Sequence, residues 1–280
     1  MKLMQVTDPD IVLELIEKHF APLKSENITL EQAGGRCLVD EILAPEDVPG
    51  FNRSTVDGFA LAASDSFGAG EGLPAILECI GEGLMGKEAP PITAGQCCLV
   101  HTGGMLPEGA DAVMMMEDTD VMGTMIHGFR QVAPGENVIH RGEDLRCGAI
   151  ALPGGHRLRA PEIGMLASLG ITEVKVRRQP VIGFFSSGDE LVGYHTSKLE
   201  PGQIRDSNAP ALLYLASQCG TAVKYGGILP DDFPVFLEKS RTMLNEVDFL
   251  VFSGGSSVGS RDFTARTMQE LGNPGVLVEG

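Results

Sequence analysis

Residues 181–191 read VIGFFSSGDEL. The run from Val181 to Phe185 is short and continuously apolar, as in a strand buried on both faces of a parallel sheet. Ser186, Ser187 and Gly188 follow at once, the composition of a turn leaving a strand's carboxyl end. Downstream, the pattern repeats. NAPALLYLASQCG (208–220) reads as a helix that stops at Gly220, and TAVKYGGIL (221–229) as a strand. DDFPVFLEKSRTML (231–244) is a helix with acids at its start and basic residues later, as the helix dipole favours. VDFLVF (247–252) is a strand, DFTARTMQELG (262–272) a helix, and GVLVEG (275–280) opens a further strand. Strand–helix alternation at this spacing predicts right-handed crossovers and an open parallel sheet, with no helix to close it by residue 280.

Upstream the texture differs. DPDIVLELIEKHF (8–20) predicts a helix capped by Asp8, with Pro9 in its first turn. LEQAGGRCLVDEIL (30–43) predicts a short helix interrupted by Gly34 and Gly35. Between about 45 and 155, short apolar runs (PAILECI, QCCLVH, DAVMMME, TMIHGF) alternate with Gly/Pro-rich turns and predict β-structure. HRLRAPEIGMLASLG (156–170) returns to a helix, with Pro161 near its start and Gly170 at its stop. The expected fold class is α/β plus mixed β: β-rich N-terminal and linker domains over 1–178, then an incomplete doubly wound parallel αβα domain over 179–280.

A net charge of −17 opposes binding to phosphate backbones, so no nucleic-acid partner is expected. A hydrophobic content of 43% suffices for packed cores. No signal-like or membrane-length apolar run occurs, which predicts a cytoplasmic protein without a membrane partner. Cys37, Cys79, Cys97, Cys98, Cys147 and Cys219 form no CxxC pair and read as small buried hydrophobes in a reducing compartment. His101 reads as a hydrogen-bonded structural histidine, and Met114–Met116 as core.

In open α/β sheets, ligands sit outside the carboxyl ends of the strands. Two Ser/Gly-rich loops leave such ends here: Ser187–Gly188, and Gly254, Gly255, Ser256 and Ser257. Glycine lets backbone N–H groups approach an anion, so a phosphate-bearing ligand is expected. Asp189, Glu190, Asp206 and Asp262 would repel a phosphate unless a cation lies between; Mg²⁺ is the usual mediator. Taken singly, Asp206 or Asp262 reads equally well as a helix cap. The residues alone therefore point to a metal-assisted site for a phosphorylated small molecule, beside a β-rich partner domain.

VPGFNRSTVDGFAL (48–61), HTGGMLPEGADAVMMMED (101–118), RGEDLRCG (141–148), FFSSGDEL (184–191), QIRDSNAPAL (203–212) and DFLVFSGGSSVGSRDFT (248–264) occur in that order. Together they closely resemble the MoeA-type molybdopterin molybdenumtransferases, bacterial relatives of the gephyrin E domain. The resemblance covers essentially the whole chain. It implies hydrolysis of adenylylated molybdopterin and insertion of molybdate into the dithiolene with Mg²⁺. It also implies a homodimer whose site lies between subunits, with the molybdopterin adenylyltransferase as upstream donor. By motif matching, Asp57, Glu190 and Asp262 are the expected catalytic residues, with Glu190 and Asp262 as metal ligands. Thr102, Asp144, Ser187, Gly188, Asp206, Gly254, Gly255, Ser256 and Ser257 are the expected substrate contacts.

Phe51 and Phe59 are expected to hold the Asp57 loop rigid while Gly58 permits its bend. Asn52 stands where many members carry Asp, and Phe59 where Tyr is common. The family pattern continues past the position of Gly280, with a lysine-bearing KPGKP segment and a small β-barrel domain. Impaired turnover by this 280-residue chain is therefore expected. The competing readings are a non-catalytic pterin-binding or scaffold module of the same fold and, more remotely, a Mg²⁺-dependent sugar-phosphate or nucleotide phosphohydrolase.

Overall fold

The computed structural model describes residues 7–254 and 263–278. Its described helices are α1 (Pro9–His19), α2 (Ala160–Ser168), α3 (Asn208–Gln218), α4 (Phe233–Leu244) and α5 (Phe263–Leu271). The Asp8 carboxylate accepts from the Asp10 N–H at 2.9 Å and starts α1, as its sequence predicts. The Asp232 carboxylate does the same for α4 through the Val235 N–H. Gly170, at φ +70°, ends the stretch after α2.

The chain divides into two compact units, 1–39 with 155–163 and 172–280, and 40–154 with 164–171. The second is built on a six-stranded mixed sheet. Its order is Ala112–Met115, Gly58–Leu61, Gln96–Val100, Ala75–Glu82, Met125–Gly128, Thr119–Met122. Only the pairing of 75–82 with 96–100 is parallel. The two-residue period of a strand sends Phe59 and Leu61 to one face, with Leu77, Met114 and Ile126, and Ala60 to the other, with Val100 and Val113. Of the methionine run, Met114 is core and Met116 is exposed.

Gly58 does not serve as a bend. A Cβ there would lie 2.1 Å from the Met114 carbonyl oxygen, so glycine is required by the close approach of two strands. Phe59 is the buried anchor of its loop, whereas Phe51 is 40% exposed and no part of the core.

The first unit holds a three-stranded parallel sheet, ordered Ala222–Leu229, Val181–Ser187, Phe249–Ser253. Both faces of the central strand are covered. Phe185 packs with Leu229, Phe236 and Met243, the last two from α4. On the opposite face, Phe184 stacks with Tyr225, and Ser186 and Tyr225 reach Asp206 at the start of α3. That is the doubly wound arrangement the alternating pattern predicts. Between Phe184 and Ser186 the partner strand carries an extra residue. Gly227, at φ +90°, absorbs this bulge, and a Cβ on Gly226 would meet the Phe185 ring at 2.1 Å.

Three further expectations fail. Residues 30–43 form no α-helix but a 3₁₀ turn at Leu30–Gln32, single bridges at Cys37 and Leu38 and a two-residue strand at Ile42–Leu43, because Gly34 and Gly35 interrupt any helical register. Residues 275–278 form no strand. Of the cysteines, Cys97 and Cys98 are buried but Cys147 and Cys219 are exposed; all six are free thiols. One pairing has no clear sequence signal: Ser25–Thr29 pairs antiparallel with Glu173–Arg177 across nearly the whole N-terminal half of the chain.

No helix among the described residues is long and apolar enough to cross a membrane. Gly58→Ala should destabilise the protein by about 2 kcal/mol or more, since a backbone oxygen cannot move aside as a side chain does. Urea unfolding checks this; an unchanged midpoint would show that the two strands separate freely.

Candidate functional site

In the β-rich unit the site begins at a self-braced turn. The buried Ser54 hydroxyl donates to the Val56 carbonyl at 2.6 Å and accepts from the Val56 N–H at 3.2 Å. The Ser54 backbone pairs with Gly103 and Gly104, so the GFNRST and HTGG segments are stitched side by side. Gly103 takes φ +81°, and a Cβ on Gly104 would lie 2.8 Å from the His101 carbonyl oxygen. HTGG is therefore a tight turn built for close approach.

The turn delivers the Thr102 N–H to Asp57 Oδ1 at 2.8 Å, with the Thr102 hydroxyl at 3.3 Å. That N–H bond is the main force holding the Asp57 carboxyl below its ordinary range, against the smaller opposing effect of desolvation. The Asp57 side chain is 60% exposed, so an ionised carboxylate faces solvent.

His101 Nδ1 lies 3.6 Å from Asp57 Oδ1, and Nε2 lies 2.9 Å from Glu82 Oε1. The Glu82 hydrogen bond is the leading cause of a raised His101 pKa. The histidine is hydrogen-bonded, as expected, but it is held between two acids. Glu82 was not legible as a site residue, because nothing in its spacing connects it to HTGG.

The RGED loop joins the same region. Asn52 Oδ1 accepts from the Arg141 N–H at 2.8 Å. An aspartate would offer the same acceptor, which explains why Asn serves at this position. Asp47 accepts from the Cys147 N–H and the Arg141 Nε, closing the loop. Asp144 is exposed and stands 3.9 Å from Arg53 Nη2; Arg53 Nε is buried with no partner among the described residues. Arg53 lies inside the quoted GFNRST motif, but its charge gave no signal of its own.

In the α/β unit the strand order changes direction about 181–187, so the crevice at its carboxyl end beside 249–253 is the topological switch point. Ser187 and Gly188 end one strand, and Ser253 and Gly254 the other. Gly188 takes φ +140° and Gly254 φ +99°; a Cβ on Gly254 would lie 2.7 Å from the Ser187 carbonyl oxygen. Asn208 Nδ2 donates to the Ser253 hydroxyl at 2.9 Å, placing the start of α3 at the same crevice.

Glu190 is exposed, its carboxylate lying over Gly188. Asp206 is buried, accepting from Ser186 Oγ at 2.5 Å, Tyr225 Oη at 2.8 Å and the Ala209 N–H at 3.1 Å. Desolvation alone would raise its pKa. The hydrogen bonds, Ser186 foremost, together overcome that and hold it low. Desolvation, then Asp206, pushes the Tyr225 phenol up. Ser186 and Tyr225 were not singled out in the sequence. Gly255, Ser256, Ser257 and Asp262 lie outside the described residues. Asp57, Thr102 and Asp144 thus belong to one compact unit, and Ser187, Gly188, Glu190, Asp206 and Gly254 to the other.

Residues 8–170 match the MoeA N-terminal region (domains I and II), and residues 183–279 match a probable molybdopterin binding domain. The chain belongs to the MoeA family. It is 35% identical to a molybdopterin molybdenumtransferase of Staphylococcus epidermidis over 90% of this chain and 60% of that protein. With the Bacillus subtilis enzyme of the same name the identity is 35%, over 89% and 59%. It thus spans about three-fifths of the length of these curated relatives. A crystal structure of the MoeA molybdopterin biosynthesis protein from Pyrococcus horikoshii OT3 superposes with a TM-score of 0.82 at 33% identity, covering 89% of this chain and 67% of that one.

The raised His101 pKa gives a signed expectation. Its stabilising contribution is complete below the unfolded imidazole value and fades as pH rises through the folded one. In an imidazole NMR titration, His101 should have a midpoint above 6.5, the ordinary value. Glu82→Gln should move it down; an unmoved midpoint would remove Glu82 as the cause.

Proposed function

We propose that this chain acts in molybdenum cofactor biosynthesis as a molybdopterin molybdenumtransferase, hydrolysing adenylylated molybdopterin and inserting molybdate into its dithiolene. The observation that carries the reading is the Gly188/Gly254 crevice at the switch point, in a chain that also builds the Asp57–Thr102 turn. Close-packed glycines at two adjacent strand ends open backbone space for the phosphates of a nucleotide-linked pterin.

The roles follow from exposure and charge. Asp57, ionised and fixed by the Thr102 N–H, is a proton acceptor and a polar positioning group, not an acid, at neutral pH. Glu190 is the exposed carboxylate beside the phosphate crevice. Asp206, turned into the fold, orients Ser186 and the start of α3. Thr102 and Asp144 would position substrate or molybdate. Asp262, Ser256 and Ser257 keep their roles by resemblance alone.

Among the described residues no three metal-ligating side chains converge, so these residues form no protein cage for a cation. The donor set suits Mg²⁺ held by one or two carboxylates together with substrate phosphate, with Glu190 supplying one of them. There Mg²⁺ would neutralise phosphate charge. The homodimer reading is supported by α1, which buries none of its residues: Ile11, Leu13 and Ile16 are exposed, and Val12 and Leu15 are only half-buried. Cytoplasmic residence and supply by an adenylyltransferase belong to the same reading.

The test is AMP release from adenylylated molybdopterin with Mg²⁺ and molybdate. Molybdate-dependent release should fall by about 10²-fold or more in Glu190→Ala, within the range for a positioned acid–base group. Saturable binding without release would instead make the chain a pterin-binding module. Equal competition by plain nucleotides would favour a phosphohydrolase. In sedimentation, Leu13→Asp should shift the protein from dimer to monomer; a wild-type monomer would remove the dimer from the reading.

A further inference from the structure

The α/β-containing unit has a second cleft, at the opposite end of its parallel strands. It has a volume of about 290 Å³, and Arg36, Arg157, Arg177 and Arg178 line it together with Gly35 and Gly220. Arg178 precedes the strand that starts at Val181, and Gly220 precedes the one that starts at Ala222. The cleft therefore lies at the amino ends, roughly 20 Å along a seven-residue strand from the Ser187–Gly188 crevice.

Two of the four guanidiniums are neutralised. Arg36 pairs with Glu26, and Arg178 makes a two-pronged bond to Asp248 at 2.6 and 2.9 Å. The other two are tied by backbone only. Arg157 Nε donates to the Gly35 carbonyl at 3.2 Å, and Arg177 Nη1 to the Leu23 carbonyl at 3.2 Å. Neither has a carboxylate partner among the described residues. Each fork is thus fixed along one edge, with its remaining donors uncommitted. Four arginines against two carboxylates leave two positive charges in one small cavity, on a chain whose net charge is −17. The carbonyl end of α3 borders the cleft, and there the Gln179 amide already caps the Gly220 carbonyl.

We propose that this arginine cleft binds a small multivalent oxyanion, of the size and charge of pyrophosphate, independently of the crevice at the carboxyl ends. Guanidinium forks match phosphate oxygens in pairs, and being weakly hydrated they release water cheaply. The volume lies at the lower limit of small-molecule sites and excludes a nucleotide-linked pterin.

The test titrates the 280-residue protein with inorganic pyrophosphate, without Mg²⁺ and at constant ionic strength, following amide NMR shifts. Saturable shifts are expected at Gly35 and Gly220. The Arg157→Gln/Arg177→Gln double variant should weaken the affinity at least tenfold, while Arg130→Gln should leave it unchanged. Arg157→Lys keeps the charge without the fork and should weaken binding several-fold, which covers a double variant that fails to fold. Non-saturating shifts, shifts confined to Gly188 and Gly254, or undiminished affinity in a folded Arg157 variant would overturn the proposal. Shifts confined to Gly188 and Gly254 would leave the transferase reading standing while removing this one.

Discussion

The α/β unit depends on one buried carboxylate. Asp206 is taken out of water, which is costly unless its lone pairs are met. It meets them with donors from three elements: Ser186 of the central strand, Tyr225 of the neighbouring strand and the Ala209 N–H of α3. That single group fixes how α3 sits on the sheet. Through Asn208 it also fixes the Ser253–Gly254 side of the crevice. Glu190 can then be an exposed, unencumbered acid, because the structural work nearby is done by a different one.

The β-rich unit solves its own version of the problem with backbone. Asp57 is positioned by an N–H from a glycine-braced turn and by the Ser54 hydroxyl folding back on its own segment. Preorganisation of this kind uses no long side chains, so little rotamer entropy is lost in presenting the charge. The neighbouring acids share two basic partners: His101 lies between Asp57 and Glu82, and Arg53 lies beside Asp144.

Much of this was legible from residues alone. VIGFF and VDFLVF declared parallel strands because each is a short apolar run followed at once by a Ser/Gly-rich turn, and TAVKYGGIL because it follows a helix that stops at Gly220. Asp8 and Pro9 gave the start of α1. What stayed hidden was long-range. Ser25–Thr29 carries too little hydrophobic alternation to declare itself a strand, and its partner lies more than 140 residues away. Gly58 looked like a hinge because sequence shows a missing side chain without showing the carbonyl that excludes one. Tyr225, Glu82 and the four arginines became functional candidates only once the fold placed distant segments side by side.

The pairing of 25–29 with 173–177 also bears on how the chain is made. The β-rich unit occupies most of the sequence between those two strands, so in chain terms it is an insertion within a hairpin. During synthesis, Ser25–Thr29 emerges early and must wait unpaired until Glu173–Arg177 follows. Closing so long a loop is less costly once the intervening chain has already become compact. The topology thus favours compaction of the inserted unit before the strand pair that encloses it.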